Sequence, residues 1–259
     1  MKEAEANNRR SFIKKAGLLA VSTAISSQWL QAAPLATEEV MKEGEATTFL
    51  FQGDSITDGG RSRNKDWNHV LGHGYAYLVS SRLWADHPKQ GFHFFNRGIS
   101  GNKITDLAAR WETDTIELKP DVLSILIGIN DTATFLNGKK EFSVEQFETG
   151  YKSLLQQSIN ALPQVQLVLC EPFILPVGKV KERWNDYFPE VQKRQQIVSK
   201  LSREFNTVHI EFQKVFNNAL SKAPADYWIW DGIHPMPAGH ELMAREWIYQ
   251  VSRKLKFIR

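Results

Sequence analysis

Three side chains in this sequence of 259 residues have the types and spacing that nucleophilic catalysis requires. Ser55 lies in the stretch F-Q-G-D-S-I-T-D-G-G, where a β-branched and aromatic run gives way to small polar residues. A serine hydroxyl is a weak nucleophile unless a base removes its proton and a partner orients that base. The stretch D-G-I-H-P supplies such a pair, Asp231 and His234. The sequence therefore predicts that Asp231 orients His234 and that His234 activates Ser55.

Acyl transfer also needs hydrogen-bond donors for the negative charge that develops on the attacked carbonyl oxygen. Two further polar stretches contain such donors. N-R-G-I-S-G-N provides backbone N–H groups flanked by glycine, and I-G-I-N-D provides the side-chain amide of Asn130. An asparagine at the end of a strand more commonly caps a helix or a turn, so the residues alone leave both roles of Asn130 open.

Five apolar runs of strand type alternate with stretches of helical spacing. The strand-like runs are 47–52, 92–96, 122–127, 165–170 and 207–212, and the helical stretches are 75–86, 104–118, 144–162, 191–205 and 238–255. This alternation predicts a three-layer α/β/α sandwich around a five-stranded, mostly parallel sheet. The polar stretches follow the first three strands, and ligands bind at the carboxyl ends of parallel strands. Residues 173–189 are predicted to be irregular and to form part of a substrate-binding wall.

The first 36 residues are predicted to be an export signal, and residues 37–259 the catalytic domain. Arg9 and Arg10 stand in N-R-R-S-F-I-K-K ahead of a small apolar stretch, which resembles a twin-arginine signal. The alternatives are a membrane anchor or a cytoplasmic helix, although the apolar stretch is shorter than the roughly 20 residues of a membrane span. We therefore predict a periplasmic or extracellular protein that meets a membrane only through this signal.

The charge distribution argues against nucleic acid as a partner. Five Lys/Arg and two Glu in the first 36 residues account for the formal net charge of +3, so the remainder of the chain is neutral. Non-specific binding of nucleic acid depends on an excess of cationic side chains that neutralise phosphates.

Two tryptophans stand just before the Asp231 motif, in W-I-W-D. Trp230 is predicted to form a wall beside an acyl pocket or a platform for a sugar ring, and ordinary packing is an equally open alternative. Packing is the favoured interpretation for Trp228.

Thiol and metal chemistry receive little support from the sequence. Cys170 is the single cysteine, which rules out an intramolecular disulfide, and its apolar strand predicts a buried packing residue. His69 and His73 are four residues apart, a spacing that binds zinc on a helix. Neighbouring glycines disfavour a helix there and no third ligand is evident, so neither a metal nor another cofactor is predicted.

Four motifs occur along the chain in a recognisable order: G-D-S-I-T-D, N-R-G-I-S-G-N, G-I-N-D and D-G-I-H-P. They resemble the signature blocks of the SGNH hydrolases, also called the GDSL esterase and lipase family, and the likeness extends from about residue 47 to the C-terminal helix. The amino-acid sequences of these motifs most closely resemble those of bacterial acetylxylan esterases. The resemblance implies a flavodoxin-like SGNH hydrolase fold.

The resemblance also implies a role for each matching residue. Ser55 would be the nucleophile, His234 the general base and Asp231 its orienting partner. The oxyanion hole would consist of the backbone N–H groups of Ser55 and Gly101 and the side chain of Asn130. Asp54, outside this set, would tie the nucleophile loop together by hydrogen bonds.

The implied function is that of a serine esterase that forms an acyl-enzyme and needs no cofactor. Its implied substrate carries a small acyl group, with O-acetyl on a polysaccharide such as xylan preferred. The resemblance is compatible with a homo-oligomer, but the sequence does not determine the oligomeric state. A lysophospholipase or thioesterase of the same fold is the alternative within the enzymes. A glycan-binding protein on an inactive hydrolase fold is the alternative outside them.

Overall fold

The computed structural model describes residues 46–64 and 68–258. At its centre lies a sheet of five strands: β1 (Thr48–Gly53), β2 (His93–Asn96), β3 (Val122–Leu126), β4 (Gln166–Cys170) and β5 (Val208–Ile210). The strand order is β2-β1-β3-β4-β5, and every pair in the sheet is parallel. The predicted fold class is confirmed. Because the chain places β2 and β3 on opposite sides of β1, the strand order reverses there, which is where parallel sheets bind ligands.

Helices cover both faces of this sheet. In chain order they are α1 (Ser55–Asp58), α2 (Tyr75–Asp86), α3 (Ile104–Ala109), α4 (Ile129–Leu136), α5 (Val144–Ala161), α6 (Gly178–Lys181), α7 (Trp184–Glu204), α8 (Phe212–Ala219), α9 (Ala225–Trp228) and α10 (Pro237–Lys254). A π-helical turn, Glu112–Ile116, follows α3, and 3-10 turns span Lys140–Phe142 and Lys256–Ile258.

A hydrophobic core lies on each face of the sheet, and β1 contributes to both because successive side chains of a strand point in opposite directions. Phe49 and Phe51 face one core, which α2, α8 and α10 cover with Tyr75, Phe216, Trp247 and their neighbours. Leu50 faces the other core, which α3, α5 and α7 cover with Leu107, Tyr151, Val198 and their neighbours. Burial on both faces explains why the strands are almost continuously apolar.

The largest departure from the predicted elements concerns the chain before α7. A helix was expected over 191–205, after an irregular stretch, but α7 begins at Trp184 and contains Pro189, and α6 also falls in that stretch. A proline removes one backbone donor and normally stops or kinks a helix. Here Trp184 stacks on Phe188 with ring centroids 4.6 Å apart, and Val191 is fully buried. Tertiary packing thus outweighs the local preference of proline.

Other boundaries differ for reasons that are equally tertiary. The helix expected over 104–118 ends at Ala109 and gives way to the π-helical turn, where Gln52 Nε2 donates to the Asp114 carbonyl at 2.8 Å and to Thr115 Oγ1 at 2.8 Å. The strand expected over 207–212 ends at Ile210, because Phe212 begins α8 and buries its ring completely. The stretch after β3, expected to be a polar loop, continues as α4.

No helix within residues 46–64 and 68–258 has the length and apolarity needed to cross a membrane. The predicted export signal and its boundary at residue 36 lie outside the described residues.

Candidate active site

Ser55 is the first residue of α1 and lies at the carboxyl end of β1. Asp54 caps this short helix, because its Oδ1 accepts the backbone N–H of Ile56 at 3.0 Å. Ile56 is buried, whereas Ser55 is partly exposed. The chain thus leaves the buried strand through a capped turn that presents the Ser55 hydroxyl at the rim of the sheet.

The structure brings Ser55, His234 and Asp231 into one hydrogen-bonded series. Ser55 Oγ lies 2.8 Å from Nε2 of His234, across 179 residues of chain. The other ring nitrogen of His234, Nδ1, lies 2.8 Å from Asp231 Oδ2. An ionised carboxylate only accepts hydrogen bonds, so Nδ1 carries the ring proton of neutral His234 and Nε2 is left to accept from the serine hydroxyl.

Asp231 is held in the ionised form by the groups around it. Its Oδ1 accepts the backbone N–H groups of Ile233 at 3.0 Å and His234 at 2.8 Å. Its Oδ2 accepts from the His234 ring and from Lys179 Nζ, which lies 3.0 Å away. Burial acts to raise the pKa of Asp231, but these hydrogen bonds outweigh it and bring the pKa to about 2. The carboxylate is therefore charged over the whole neutral range.

A tight turn of the chain places His234 beside Trp230. Ile229 and Pro235 form an antiparallel bridge, and Trp230 N donates to the His234 carbonyl at 3.2 Å. The Trp230 ring lies 6.1 Å from the imidazole of His234 at an angle of 25°, and the residue is 60% exposed. Trp228 is buried and donates to the Ala223 carbonyl. Trp230 is therefore not a core residue, whereas Trp228 packs as expected.

The donors expected for an oxyanion follow three neighbouring strands. The backbone N–H groups of Ser55 and Gly101 have no hydrogen-bond partner within the described part of the chain. Asn130 Nδ2 donates one hydrogen to the Asn102 carbonyl at 3.1 Å, which leaves the second amide hydrogen for a ligand. Asn130 can thus stabilise the loop of Asn102 and donate to a ligand at the same time.

Gly101 owes its place in this set to its backbone conformation. Its φ of 84° lies in the left-handed region that glycine adopts without cost. A Cβ built on Gly101 would meet no described atom within 4 Å. A side chain at this position is thus disfavoured by backbone strain and not by crowding.

Asn96, at the end of β2, connects the loops around Ser55. Its Nδ2 donates to the carbonyls of Thr57 at 2.6 Å and Leu71 at 2.9 Å, and its Oδ1 accepts from Gly98 N at 2.9 Å. The residue is 2% exposed. Sequence reasoning assigned no role to this asparagine beyond membership of its motif, because its partners are distributed over three separate loops.

A second link between the loops is made by Asp58, which was expected only to be part of the polar loop. Asp58 Oδ2 accepts from Arg63 at 2.6 Å and from Ser100 N at 3.1 Å, while Arg61 Nε donates to the Gly98 carbonyl at 2.9 Å. Burial acts to raise the pKa of Asp58, but the hydrogen bonds from Arg63 and the backbone lower it overall. The turn that carries Ser55 is thus fixed against the loop that carries Gly101.

His240 in α10 is a further buried residue that the sequence did not single out. Its Nδ1 accepts the backbone N–H of Tyr75 at 3.1 Å, which satisfies a donor at the start of α2. Burial, together with nearby His73 and His234, lowers the pKa of His240 to about 4. The ring is therefore neutral at pH 7 and carries its proton on Nε2.

Two buried carboxyl groups lie close to the oxyanion donors in sequence. Asp54 precedes Ser55, and Asp131 follows Asn130 and accepts from Ile104 N at 3.1 Å. Burial raises the pKa of Asp54 to about 7 and that of Asp131 to about 6, and the Asp131 carboxylate adds to the cost of ionising Asp54. In the part of the chain that is described, Oδ2 of each is buried without a hydrogen-bond partner.

The remaining candidates for chemistry lie apart from this series. Cys170 is fully buried in β4, and burial raises the pKa of its thiol to about 12, so the thiol is protonated and serves in packing. Within the described residues, no three His, Cys, Asp or Glu side chains are grouped closely enough to hold a metal ion.

Comparison with known proteins places this geometry in a family. Residues 51–242 match the model of the GDSL-like lipase/acylhydrolase family. An acetylxylan esterase of Geobacillus stearothermophilus is 34% identical over 226 residues, which cover 82% of this chain and 97% of the relative.

Solved structures give the same assignment. A protein of Parabacteroides merdae described as a GDSL-like lipase superposes with a TM-score of 0.75 at 41% identity, over 79% of this chain and 94% of that one. The acetylxylan esterase Axe2 of Geobacillus stearothermophilus superposes with a TM-score of 0.71 at 34% identity, over 82% and 96% of the two chains. The chain therefore belongs to the GDSL-like lipase/acylhydrolase family and is a carboxylic ester hydrolase.

Proposed function

We propose that this esterase removes acetyl groups from an acetylated polysaccharide such as xylan, with Ser55 as nucleophile, His234 as general base and Asp231 as its orienting partner. The observation that carries the catalytic assignment is the hydrogen-bonded series, in which Ser55 Oγ lies 2.8 Å from His234 Nε2 and His234 Nδ1 lies 2.8 Å from Asp231 Oδ2. Both distances fall in the range required for direct proton transfer and orientation.

In the first half of the reaction, Ser55 Oγ attacks the carbonyl carbon of the ester while its proton passes to His234 Nε2. The carbonyl oxygen becomes an oxyanion, which accepts from Ser55 N, Gly101 N and the second hydrogen of Asn130 Nδ2. The imidazolium of His234 is stabilised by the Asp231 carboxylate, which is ionised because its pKa is about 2. His234 then gives the proton to the sugar oxygen as the carbon–oxygen bond breaks, and Ser55 is left acetylated.

The second half reverses these roles with water as the nucleophile. His234 Nε2 takes a proton from water, and the hydroxide adds to the acyl carbon under the same oxyanion donors. The bond to Ser55 Oγ breaks, the proton returns to that oxygen, and acetate is released. A single histidine serves both halves because its Nδ1–H keeps donating to the Asp231 carboxylate throughout.

Two observations support a sugar acetate as substrate. The acetylxylan esterase relative covers 82% of this chain. Trp230, 60% exposed, holds its ring 6.1 Å from that of His234, and an exposed aromatic face beside the base offers an apolar surface on which a pyranose ring can rest. We assign Trp230 to substrate binding on this basis.

The deciding experiment measures acetate released from acetylated xylan, acetylated pectin and simple sugar acetates, alongside hydrolysis of p-nitrophenyl esters of increasing chain length. Ser55→Ala is expected to abolish all hydrolysis, and Ser221→Ala, at an exposed serine, is the matched control. Loss of activity in Ser55→Ala with preference for sugar acetates supports the proposal. A preference for long acyl chains would instead indicate a lysophospholipid or a thioester as the substrate. Unchanged hydrolysis in Ser55→Ala would remove the serine from the mechanism, and absence of all hydrolysis would favour the glycan-binding alternative.

Export and self-association complete the proposal. We propose that the twin-arginine-like segment, residues 1–36, directs the folded enzyme to the periplasm or the exterior, where polysaccharide is available. Replacing Arg9 and Arg10 by Lys is expected to retain the protein in the cytoplasm, as measured by cell fractionation. Light scattering of the purified protein tests whether it forms the homo-oligomer with which the resemblance is compatible.

A further inference from the structure

Lys179 makes a contact with the proposed triad for which the catalytic steps above give no reason. Its Nζ lies 3.0 Å from Asp231 Oδ2, the same oxygen that lies 2.8 Å from His234 Nδ1. One carboxylate oxygen is thus shared between the imidazole and an ammonium group. The carboxylate of a triad stabilises the imidazolium that forms when the histidine takes the serine proton. A cation on the same oxygen opposes that stabilisation.

The backbone around Lys179 is fixed in place. Gly178 has a φ of 52°, and a Cβ built on it would lie 2.5 Å from Asp231 Cα, so α6 approaches Asp231 at a distance that only glycine permits. Val180 is 1% exposed, and Leu175 N donates to the Gly232 carbonyl at 3.0 Å. Although the Lys179 side chain is 62% exposed, the backbone from which it extends is therefore held beside the Asp231 carboxylate.

We propose that Lys179 is a positioning residue that offsets part of the Asp231 charge and thereby keeps His234 in its unprotonated, basic form at lower pH. The inference rests on the proposed function, since it concerns the base of that same site. The enzyme then works further into the mildly acidic range than a triad without the lysine.

The other groups that face His234 do not supply this effect. Asp231 favours the protonated imidazole, and Ser55 is neutral. His240 approaches from α10, but burial and its histidine neighbours lower its pKa to about 4, so it carries no charge when His234 is active. Trp230 lies over the ring and is uncharged. Among the residues that the structure describes, Lys179, on α6, is the cation that contacts the Asp231 carboxylate.

The size of the effect follows from the exposure of the ammonium group. The lysine of this ion pair is exposed, and exposed ion pairs have modest energies that salt screens. Removing it is therefore expected to move the midpoint of the acidic limb of the activity profile by about 0.3 to 0.7 pH units. Removing the cation makes the imidazolium easier to form. The acidic limb of the activity profile therefore moves to higher pH, while activity on the plateau stays within about twofold.

The test is the pH dependence of kcat/KM for p-nitrophenyl acetate in wild type, Lys179→Met and Lys179→Arg, at low and high NaCl. Lys181→Met is the matched control, because Lys181 is an exposed lysine on the same short helix. We expect Lys179→Met to shift the acidic midpoint upward by about 0.3 to 0.7 pH units and Lys179→Arg to restore it. High salt is expected to raise the wild-type midpoint and to affect Lys179→Met less.

Three results would overturn the inference: an unchanged midpoint in Lys179→Met, an equal shift in Lys181→Met, or a lower plateau without any shift, which indicates a purely structural role. Ser55→Ala separates this failure from failure of the proposed function. If Ser55→Ala is inactive and the midpoint of Lys179→Met is unchanged, the inference about Lys179 alone fails. If Ser55→Ala remains active, both fail.

Discussion

Replacing Asp231 by Asn tests the proposed triad most directly, because it removes a charge and preserves the shape of the side chain. Oδ1 of Asp231 accepts two backbone N–H groups, from Ile233 at 3.0 Å and His234 at 2.8 Å. These donors require an oxygen at that position, so the amide nitrogen of the asparagine must occupy the position of Oδ2. There it presents hydrogens to His234 Nδ1, which lies 2.8 Å from Oδ2 in the wild type.

Two donors cannot share one hydrogen bond, so the imidazole adopts the other tautomer. Nδ1 then accepts from the amide and Nε2 carries the proton, which points at Ser55 Oγ 2.8 Å away. In this tautomer His234 cannot take the serine proton. We expect kcat to fall about 10⁴-fold, as for the equivalent change in serine proteases, or about 5 kcal/mol in activation free energy. The exposed Lys179 can turn away from the amide, so the fold is retained.

The assay is kcat for p-nitrophenyl acetate at pH 8, together with the thermal unfolding midpoint to show that the variant is folded. Asp226→Asn is the matched control, because Asp226 is an exposed aspartate of the same segment. A folded Asp231→Asn variant with activity within tenfold of the wild type would refute the argument from the tautomer.

Three further predictions concern residues around the series. Asn130→Ala removes a proposed oxyanion donor and is expected to lower kcat by about 10² to 10³ with KM little changed; a change in KM alone, measured by steady-state kinetics, would contradict this role. Asn96→Ala leaves the buried carbonyls of Thr57 and Leu71 without their donor and is expected to lower the free energy of unfolding by about 2–4 kcal/mol; a loss below about 1 kcal/mol in urea titrations would show that water replaces the amide. The pKa of Asp54 rises from 3.8 to about 7 on folding, so protonation favours the folded state, and this stabilisation is lost as pH rises from about 4 to 7. Asp54→Asn is expected to flatten that loss, and an unchanged pH dependence of the urea midpoint would count against it.

The elements whose signals are local agree closely with the sequence. The predicted helix 75–86 coincides with α2, α5 ends one residue before the predicted span, and α10 begins and ends one residue earlier than predicted. Apolar spacing sets these helices because each has one face against the sheet. The start of α7 was not predicted, because Pro189 is a local signal for the end of a helix. The stacking of Trp184 on Phe188, which accompanies the earlier start, depends on the core against which these rings pack.

The candidate site shows the same division. The order of the four motifs, three of them at strand ends, led to Ser55, Gly101, Asn130, Asp231 and His234, and the structure places Ser55, His234 and Asp231 in direct hydrogen-bond contact. Asn96 begins the second motif but was given no role of its own, and His240 and Lys179 were not singled out. Each is recognised by its partners, which lie in other loops.

The sequence by itself therefore determined the alternation of strands and helices, the rim on which the polar motifs lie and the chemistry that those side chains can perform, because periodicity and residue type are properties of short stretches. The tertiary structure decided how the site is held and charged. Lys179 approaches Asp231 across 3.0 Å, and His240 accepts from Tyr75 at a separation of 165 residues. Hydrogen bonds and charges act over a few ångströms in space, and the distance along the chain does not reveal which groups the packing of helices on the sheet will bring that close.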